Sequence, residues 1–138
     1  MAARILVIED DEHILELVTE VLWSAGYQVT SLRYPDLALD VVHRERPDLI
    51  LVDVMLPKKS GLEVADCLWL HGLGTTPMIA MSASIVMYDL ASHSPFFHKV
   101  VRKPFDTESL LRDVRDAITA HHPLPVVSAV EHARMSMP

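Results

Sequence analysis

Residues 5–8 (ILVI) form a short apolar run that is followed at once by three acidic residues, 9–11 (EDD). A continuous apolar run of this length is typical of a β-strand that is buried on both faces. Residues 49–52 (LILV) and 78–81 (MIAM) have the same character, and a shorter run follows at Val100 and Val101. Several buried strands along one chain predict a sheet that is covered on both sides.

Segments with helical spacing separate these runs. Apolar residues recur on one helix face within residues 14–22, 37–42, 64–70 and 110–118, and more weakly within 85–90. Gly26 follows the first segment, Pro47 the second and the turn 72–74 (GLG) the third, and each is typical of a helix end. Asp106 or Thr107 is the predicted N-cap of the last helix. Strands that alternate with helices predict right-handed crossovers and a parallel sheet.

The expected fold is α/β, with a five-stranded parallel sheet in the order 2-1-3-4-5 and helices on both faces. This is the flavodoxin-like, doubly wound (βα)5 arrangement. Residues 27–30 (YQVT) alternate between apolar and polar, and the last apolar run is the shortest, so we expect the second and fifth strands at the edges. Residues 1–121 are predicted to form this domain, and residues 122–138 a C-terminal tail or the start of a linker.

Composition limits the class of protein. The chain has 138 residues, of which 50% are hydrophobic and 22% charged, and this indicates one globular domain. Apolar runs never exceed four residues, so no membrane span is expected. A net charge of −7 argues against non-specific nucleic-acid binding. The single cysteine, Cys67, excludes an internal disulfide framework, and the N-terminus lacks a signal-peptide pattern, so we expect a cytoplasmic protein.

Polar residues follow each buried run, where the carboxyl ends of the strands meet. They are Glu9, Asp10, Asp11, Asp53, Ser82 and Lys103. Ligands of such sheets bind at the carboxyl end of the strands. Carboxylates that cluster there repel one another unless a cation lies between them. Oxygen ligands favour Mg²⁺ over zinc, and Lys103 and Ser82 can bind phosphoryl oxygens. Asp53 is then the predicted nucleophile, which forms an acyl phosphate.

At these positions the sequence resembles the receiver domain of two-component response regulators. The resemblance is carried by residues 5–11 (ILVIEDD), 53–61 (DVMLPKKSG), 82–83 (SA) and 103–105 (KPF), and it spans about residues 3–120. Each motif alone is weakly specific, but their order and joint spacing are those of the family.

The resemblance implies a role for each matching residue. Asp53 is the implied phosphoacceptor, and Asp10, Glu9, Asp53 and the backbone oxygen of Met55 are the implied Mg²⁺ ligands. Ser82, the Ala83 amide and Lys103 are implied to bind the phosphoryl group, Asp11 to begin the first helix, and the bond between Lys103 and Pro104 to be cis.

The implied function is signalling. A histidine kinase or phosphotransfer protein phosphorylates Asp53, and an unknown downstream protein binds the altered surface around the fourth helix and fifth strand. The chain is expected to assist only its own phosphorylation and dephosphorylation, so it is not an enzyme in the ordinary sense. No direct nucleic-acid or membrane contact is expected, and a homodimer is left open.

The sequence departs from the family at several positions. Val100 stands where the family has a switch aromatic, and His98 and Lys99 replace acidic residues that are common in DNA-binding members. Asp113 stands at a usually basic position, so the familiar dimer face is not clearly encoded. Met55 has no polar side chain to orient an attacking water, which predicts a long-lived phosphoryl group.

Three alternatives remain. The chain is an N-terminal receiver fragment of a DNA-binding transcription regulator, an Asp-nucleophile phosphatase or phosphotransferase, or a phosphorylation-independent pseudo-receiver. The phosphotransferase reading would need a second Asp where Met55 stands. The intact acids and Lys103 disfavour the pseudo-receiver.

Overall fold

Five parallel strands alternate with five α-helices along residues 2–121, which are the part of the chain described by this computed structural model. The strands are β1 (Arg4–Ile8), β2 (Gln28–Leu32), β3 (Leu49–Asp53), β4 (Met78–Ser82) and β5 (Phe97–Arg102). The helices are α1 (Glu12–Ser24), α2 (Ala38–Glu45), α3 (Gly61–Leu70), α4 (Ile85–Ser92) and α5 (Thr107–His121), with a 3₁₀ turn at Pro35–Leu37 before α2. None of the helices in this range has the length and apolar character of a membrane span.

The sheet has the order β2-β1-β3-β4-β5, and every pairing is parallel. This confirms the predicted fold, including β2 and β5 at the edges. The predicted tail at residues 122–138 lies outside the described residues.

The two faces of the sheet explain the continuous apolar runs. In β1, Ile5 and Val7 pack under α1 and α5, whereas Leu6 and Ile8 pack under α2 and α3. All five residues of β3 and all five of β4 are buried. Because successive side chains point to opposite faces and both faces are covered, no position in these strands can be polar without a partner.

Side-chain caps fix the start of four helices, directly after the strands or the loops that follow them. Asp11 accepts hydrogen bonds from the backbone N–H groups of His13 (2.9 Å) and Ile14 (3.2 Å), so it is the N-cap of α1, as expected of the helix-entry residue. Asp106 caps α5 through the N–H of Ser109. Ser60 and Ser84 do the same for α3 and α4.

The structure corrects three details of the sequence prediction. β5 runs from Phe97 to Arg102 and is longer than its apolar core, because exposed residues extend it at the edge of the sheet. Leu17, Leu37 and Leu70, which the helical pattern counted among its apolar positions, are exposed. Lys99 forms an ion pair with the buried carboxylate of Asp113 at 3.2 Å. The sequence analysis noted these two residues only as departures from the receiver family and did not predict that they contact each other.

Helix α4 is loosely anchored. Of its residues 85–92 only Ala91 is buried, while Ile85, Val86 and Leu90 are exposed to solvent. Ala91 belongs to a small apolar cluster with Val54, Ala80 and Val100, which lies between α4 and the sheet.

Gly61, the first residue of α3, lies against the end of β3. A Cβ atom at this position would lie 2.6 Å from the carbonyl oxygen of Asp53 and 3.0 Å from the Cα atom of Val54. The Gly61 N–H also donates to the carbonyl oxygen of Val54 at 2.9 Å. A side chain at position 61 would therefore push α3 away from the backbone that carries Asp53.

We expect Gly61→Ala to lower the free energy of unfolding by about 1–3 kcal/mol, because overpacking against backbone cannot be relieved by a side-chain rotation. Urea denaturation measures the loss, and amide chemical shifts of Asp53 and Val54 should move with it. Gly26→Ala is the control for the shifts: φ at Gly26 is +97°, so this variant also loses stability through backbone strain, but its Cβ atom would meet nothing within 4 Å and the two shifts should stay unchanged. A Gly61→Ala protein with wild-type stability and unmoved shifts would contradict this account.

Candidate functional site

Charged side chains from β1, β3 and β5 meet at the carboxyl end of the sheet. The Lys103 Nζ atom lies 2.6 Å from Oε2 of Glu9 and 2.7 Å from Oδ2 of Asp53. Glu9 is completely buried, and Asp53 is 5% exposed. One ammonium group thus donates hydrogen bonds to two buried carboxylates that lie far apart in the sequence.

Backbone hydrogen bonds that continue the sheet hold these residues in place. The N–H of Glu9 donates to Leu32 in β2, and the N–H of Lys103 donates to Ser82 in β4. After Asp53, the N–H of Val54 donates to Met81 in β4. The polar residues therefore lie one step beyond the apolar strand cores, where the helices no longer cover the edge of the sheet.

The charges in the cluster do not balance. Burial, together with the nearby charge of Asp53, raises the pKa of Glu9 from 4.5 to about 7, although the hydrogen bond from Lys103 opposes the shift. For Lys103, burial favours the neutral form, but the hydrogen bonds and charges of Asp53 and Glu9 outweigh it and raise its pKa above 10.5. Lys103 is therefore an ammonium ion, and a second cation would stabilise the remaining negative charge.

Glu9, Asp10 and Asp53 form a cluster that could hold a metal ion. Each offers one carboxylate oxygen, and these oxygens all lie within 4.8 Å of one another. Asp10 is only half-buried, so the cluster is open to solvent on one side. Three carboxylate oxygens are a donor set that suits a hard cation such as Mg²⁺. Of the predicted ligands, Met55 is close as well, since its N–H donates to Oδ1 of Asp53 at 2.9 Å.

Ser82 is buried at the end of β4, and its hydroxyl group is engaged with the next turn. The hydroxyl donates to the carbonyl oxygen of Ser84 and accepts from the Ser84 N–H, both at 3.1 Å. Ser84 is the N-cap of α4 through the N–H of Met87. The sequence analysis missed Ser84, although two serines separated by one residue before a helix are the signal of such a turn.

An apolar cleft of about 340 Å³ adjoins the charged cluster, and it too was missed. It lies between α1 and the loop after β5, and its lining residues are Ile14, Leu17, Ala83, Lys103, Pro104 and Phe105. The bond between Lys103 and Pro104 is cis, as the resemblance implied. Ala83, whose amide the resemblance implied in phosphoryl binding, lines the same cleft as Lys103. The sequence pattern placed Ile14 and Leu17 on the core face of the first helix, but only Ile14 packs against the core, and Leu17 is 53% exposed.

Val100 occupies the buried cluster beneath α4, at the position where the family has an aromatic residue. Tyr88 of α4 packs against this cluster, and the Arg102 guanidinium lies 5.8 Å from the centre of its ring. Phe97, the first residue of β5, packs against the same cluster, so two aromatic rings lie in this region although position 100 carries none.

Comparison with known proteins finds matches that cover most of the described part of the chain. The family model described as "Response regulator receiver domain" matches residues 5–115. The transcriptional regulatory protein DltR of Streptococcus agalactiae is 34% identical over 113 residues, which are 81% of this chain and 50% of that protein. The response regulator MprA of Mycobacterium tuberculosis is 35% identical over 117 residues, 83% of this chain and 50% of that protein. The chain therefore spans about half the length of these relatives.

Solved structures share the fold. A putative response regulator from Chloroflexus aurantiacus superimposes with a TM-score of 0.80 at 23% identity, covering 86% of this chain and 99% of that one. The signal receiver domain of a putative LuxO repressor from Vibrio parahaemolyticus gives a TM-score of 0.79 at 21% identity, covering 88% and 94%.

We expect Asp10→Asn to have opposite effects on stability and on metal binding. Without metal, loss of one charge from the cluster relieves repulsion and should raise the free energy of unfolding by on the order of 1 kcal/mol. With metal, loss of a charged ligand should weaken Mg²⁺ binding about tenfold or more. Urea denaturation and Mg²⁺ titration measure the two effects.

Asp11→Asn is the matched control. Asp11 is the adjacent residue, but it caps α1, and Asn caps a helix about as well as Asp. This variant should keep both wild-type values. Equal Mg²⁺ affinities for Asp10→Asn and Asp11→Asn would show that the cluster does not bind the ion.

Proposed function

The chain belongs to the response regulator receiver domain family, and from that premise we propose that Asp53 is its phosphoacceptor. The observation that carries the proposal is the contact of Lys103 with both Asp53 and Glu9. The cluster combines an anionic nucleophile, a fixed cation and two further carboxylates, Glu9 and Asp10, at the carboxyl end of the sheet. This combination suits the transfer of a phosphoryl group to a carboxylate.

In the proposed reaction, a carboxylate oxygen of Asp53 bonds to phosphorus while the bond from phosphorus to the donor's nitrogen breaks. The donor is a phosphohistidine of a histidine kinase or of a phosphotransfer protein, and its imidazole keeps the electron pair and takes up a proton. The product is an acyl phosphate on Asp53. In the structure Oδ1 of Asp53 accepts from the Met55 N–H and Oδ2 accepts from Lys103, so both oxygens of the proposed nucleophile are held in position.

Lys103 and Ser82 receive the new group. Lys103 already lies 2.7 Å from Oδ2 of Asp53. After phosphorylation its ammonium group can donate to a phosphoryl oxygen instead. Ser82 can donate to the phosphoryl group only if its hydroxyl leaves the carbonyl oxygen of Ser84. Phosphorylation would thereby change the hydrogen bonds at the start of α4.

Mg²⁺, when bound, neutralises charge on the transferring phosphoryl oxygens. We assign its binding to Glu9, Asp10 and Asp53, with the backbone oxygen of Met55 as a further ligand. The support for this assignment is the convergence of three carboxylate oxygens within 4.8 Å. Burial first, and then the nearby charge of Asp53, raises the pKa of Glu9, and a bound cation would stabilise the ionised form of this carboxyl group.

The apolar cleft between α1 and the loop after β5 is the proposed docking site of the phosphodonor. It adjoins Lys103, so a helix seated against Ile14, Leu17 and Phe105 would bring its histidine to the charged cluster. The proposal includes a cytoplasmic location, which the family membership supports.

We propose that a downstream protein binds the surface of α4 and β5 after phosphorylation has altered it. The relatives point to control of transcription, since one is named DNA-binding response regulator MtrA, and it is 34% identical over 119 residues. Because the chain spans half of that relative, the second candidate is the receiver portion of a DNA-binding regulator. In neither case does this domain itself contact nucleic acid.

The first test is phosphorylation with acetyl phosphate and Mg²⁺. We expect intact mass spectrometry to find one added phosphoryl group on the wild-type chain and none on Asp53→Asn. Asp11→Asn removes a neighbouring carboxylate outside the site and should be phosphorylated like the wild type. Phosphorylation of Asp53→Asn to the wild-type extent would exclude Asp53 as the acceptor.

The second test concerns the lifetime of the phosphoryl group. The Met55 side chain is 55% exposed beside Asp53 and has no group that orients water. We expect loss of phosphate on a time scale of minutes or longer. Met55→Asn should accelerate the loss about tenfold, since an amide can position the attacking water.

Met55→Leu is the control for this test, because it changes the side chain without adding a polar group. It should keep the wild-type rate, followed by the release of inorganic phosphate. Loss from the wild-type chain within seconds would contradict the prediction.

A further inference from the structure

Two imidazole rings meet at the end of the sheet opposite Asp53. His98 is near the start of β5, and His121 is the last residue of α5. Their ring centroids are 5.5 Å apart, and the ring planes cross at 74°. Both residues are exposed, so this pair has no part in the core and is open to solvent.

A β-bulge presents His98. In the pairing of β4 with β5, Met78 is opposite Phe97 and Ile79 is opposite Lys99, so His98 is an extra residue without a partner in β4. Bulges of this kind redirect a side chain relative to the regular alternation of the strand. The bulge sets His98 in contact with the end of α5.

A hydrogen bond fixes the tautomer of His121. Its Nδ1 atom lies 3.0 Å from the carbonyl oxygen of Ala117, and a carbonyl oxygen can only accept. The proton is therefore on Nδ1, and Nε2 of the neutral ring keeps a lone pair for a ligand. Histidines that bind metals usually make this bond with the other ring nitrogen.

The second ring distinguishes His121 from similar residues. His71 and His93 end their helices with the same hydrogen bond, to Cys67 and Asp89 respectively, at 2.8 Å. Within residues 2–121, the one contact between two imidazole rings is that of His98 with His121.

The separation of the rings matches a shared ion. With metal–nitrogen bonds of about 2.0–2.1 Å and tetrahedral geometry, two imidazole centroids lie about 5 Å apart. A cavity of about 170 Å³ adjoins both rings and is also lined by Trp69, Phe96 and Phe97, so there is room for the ion and its remaining water ligands.

We propose that His98 and His121 form a binding site for a borderline transition-metal cation of the Zn²⁺, Ni²⁺ or Cu²⁺ class. Imidazole nitrogens suit these ions, whereas the carboxylate oxygens at the opposite end of the sheet suit Mg²⁺. The ion links the last turn of α5 to the bulge of β5, with water in its other coordination positions. The two ends of the sheet then bind different classes of metal.

The test is a calorimetric titration of the full chain with Ni²⁺ in excess Mg²⁺, so that the carboxylate cluster is already saturated. We expect one Ni²⁺ per chain, with an affinity at least about tenfold lower in His98→Ala and in His121→Ala. His93→Ala, which removes a helix-terminal imidazole with the same hydrogen bond, should bind like the wild type, and so should Asp53→Asn. Wild-type affinity in His98→Ala, or loss of binding in Asp53→Asn alone, would overturn the proposal.

Fluorescence gives an independent readout, because the chain has two tryptophans and Trp69 lines the same cavity as the two histidines. Bound Cu²⁺ quenches nearby tryptophan emission. We expect strong quenching by one equivalent of Cu²⁺ in Trp23→Phe, which keeps Trp69, and little in Trp69→Phe, which keeps Trp23. Equal quenching in the two variants would place the ion elsewhere.

Discussion

The ammonium group of Lys103 holds two buried carboxylates together, and the arrangement of the sheet edge depends on this contact. Without Lys103, Glu9 and Asp53 would be buried carboxylates with no cation beside them, and breaking a buried pair in this way costs several kcal/mol. Lys103 can reach both carboxylates because the strand order places β1 and β3 side by side. All strands are parallel, so the carboxyl end of β5 lies at the same end of the sheet. The topology is thus a condition for this ion pairing, which ties the residues after β1 and β5 to the end of β3.

Much of the fold could be predicted because β1, β3 and β4 are buried on both faces. A strand that is buried on both faces needs apolar residues at every position, so it is recognised in the sequence as an unbroken apolar run. The first polar residue after such a run is then easily identified as the end of the strand. Glu9, Asp53 and Ser82 were found in this way. Lys103 follows the shortest run and was identified because its position completes the set.

Other features depend on contacts that the sequence does not display. The edge position of β5 allows His98 and Lys99 within the strand, so its apolar pattern is interrupted, and the bulge at His98 is visible only in the pairing with β4. The hydrogen bonds between Ser82 and Ser84 depend on the rotamer of the Ser82 side chain, which the sequence does not specify. Leu37 has the right spacing for a buried helix position, but the chain there forms a 3₁₀ turn that leaves it exposed.

The weak anchoring of α4 has an energetic consequence. A helix with one buried residue, Ala91, has little apolar area to lose when it opens, so its local opening free energy lies at the low end of the range within the domain. The two bonds between Ser82 and Ser84 are worth about 1 kcal/mol each, which is a considerable fraction of such a small quantity. A rotation of the Ser82 hydroxyl can therefore shift the population of open and closed α4.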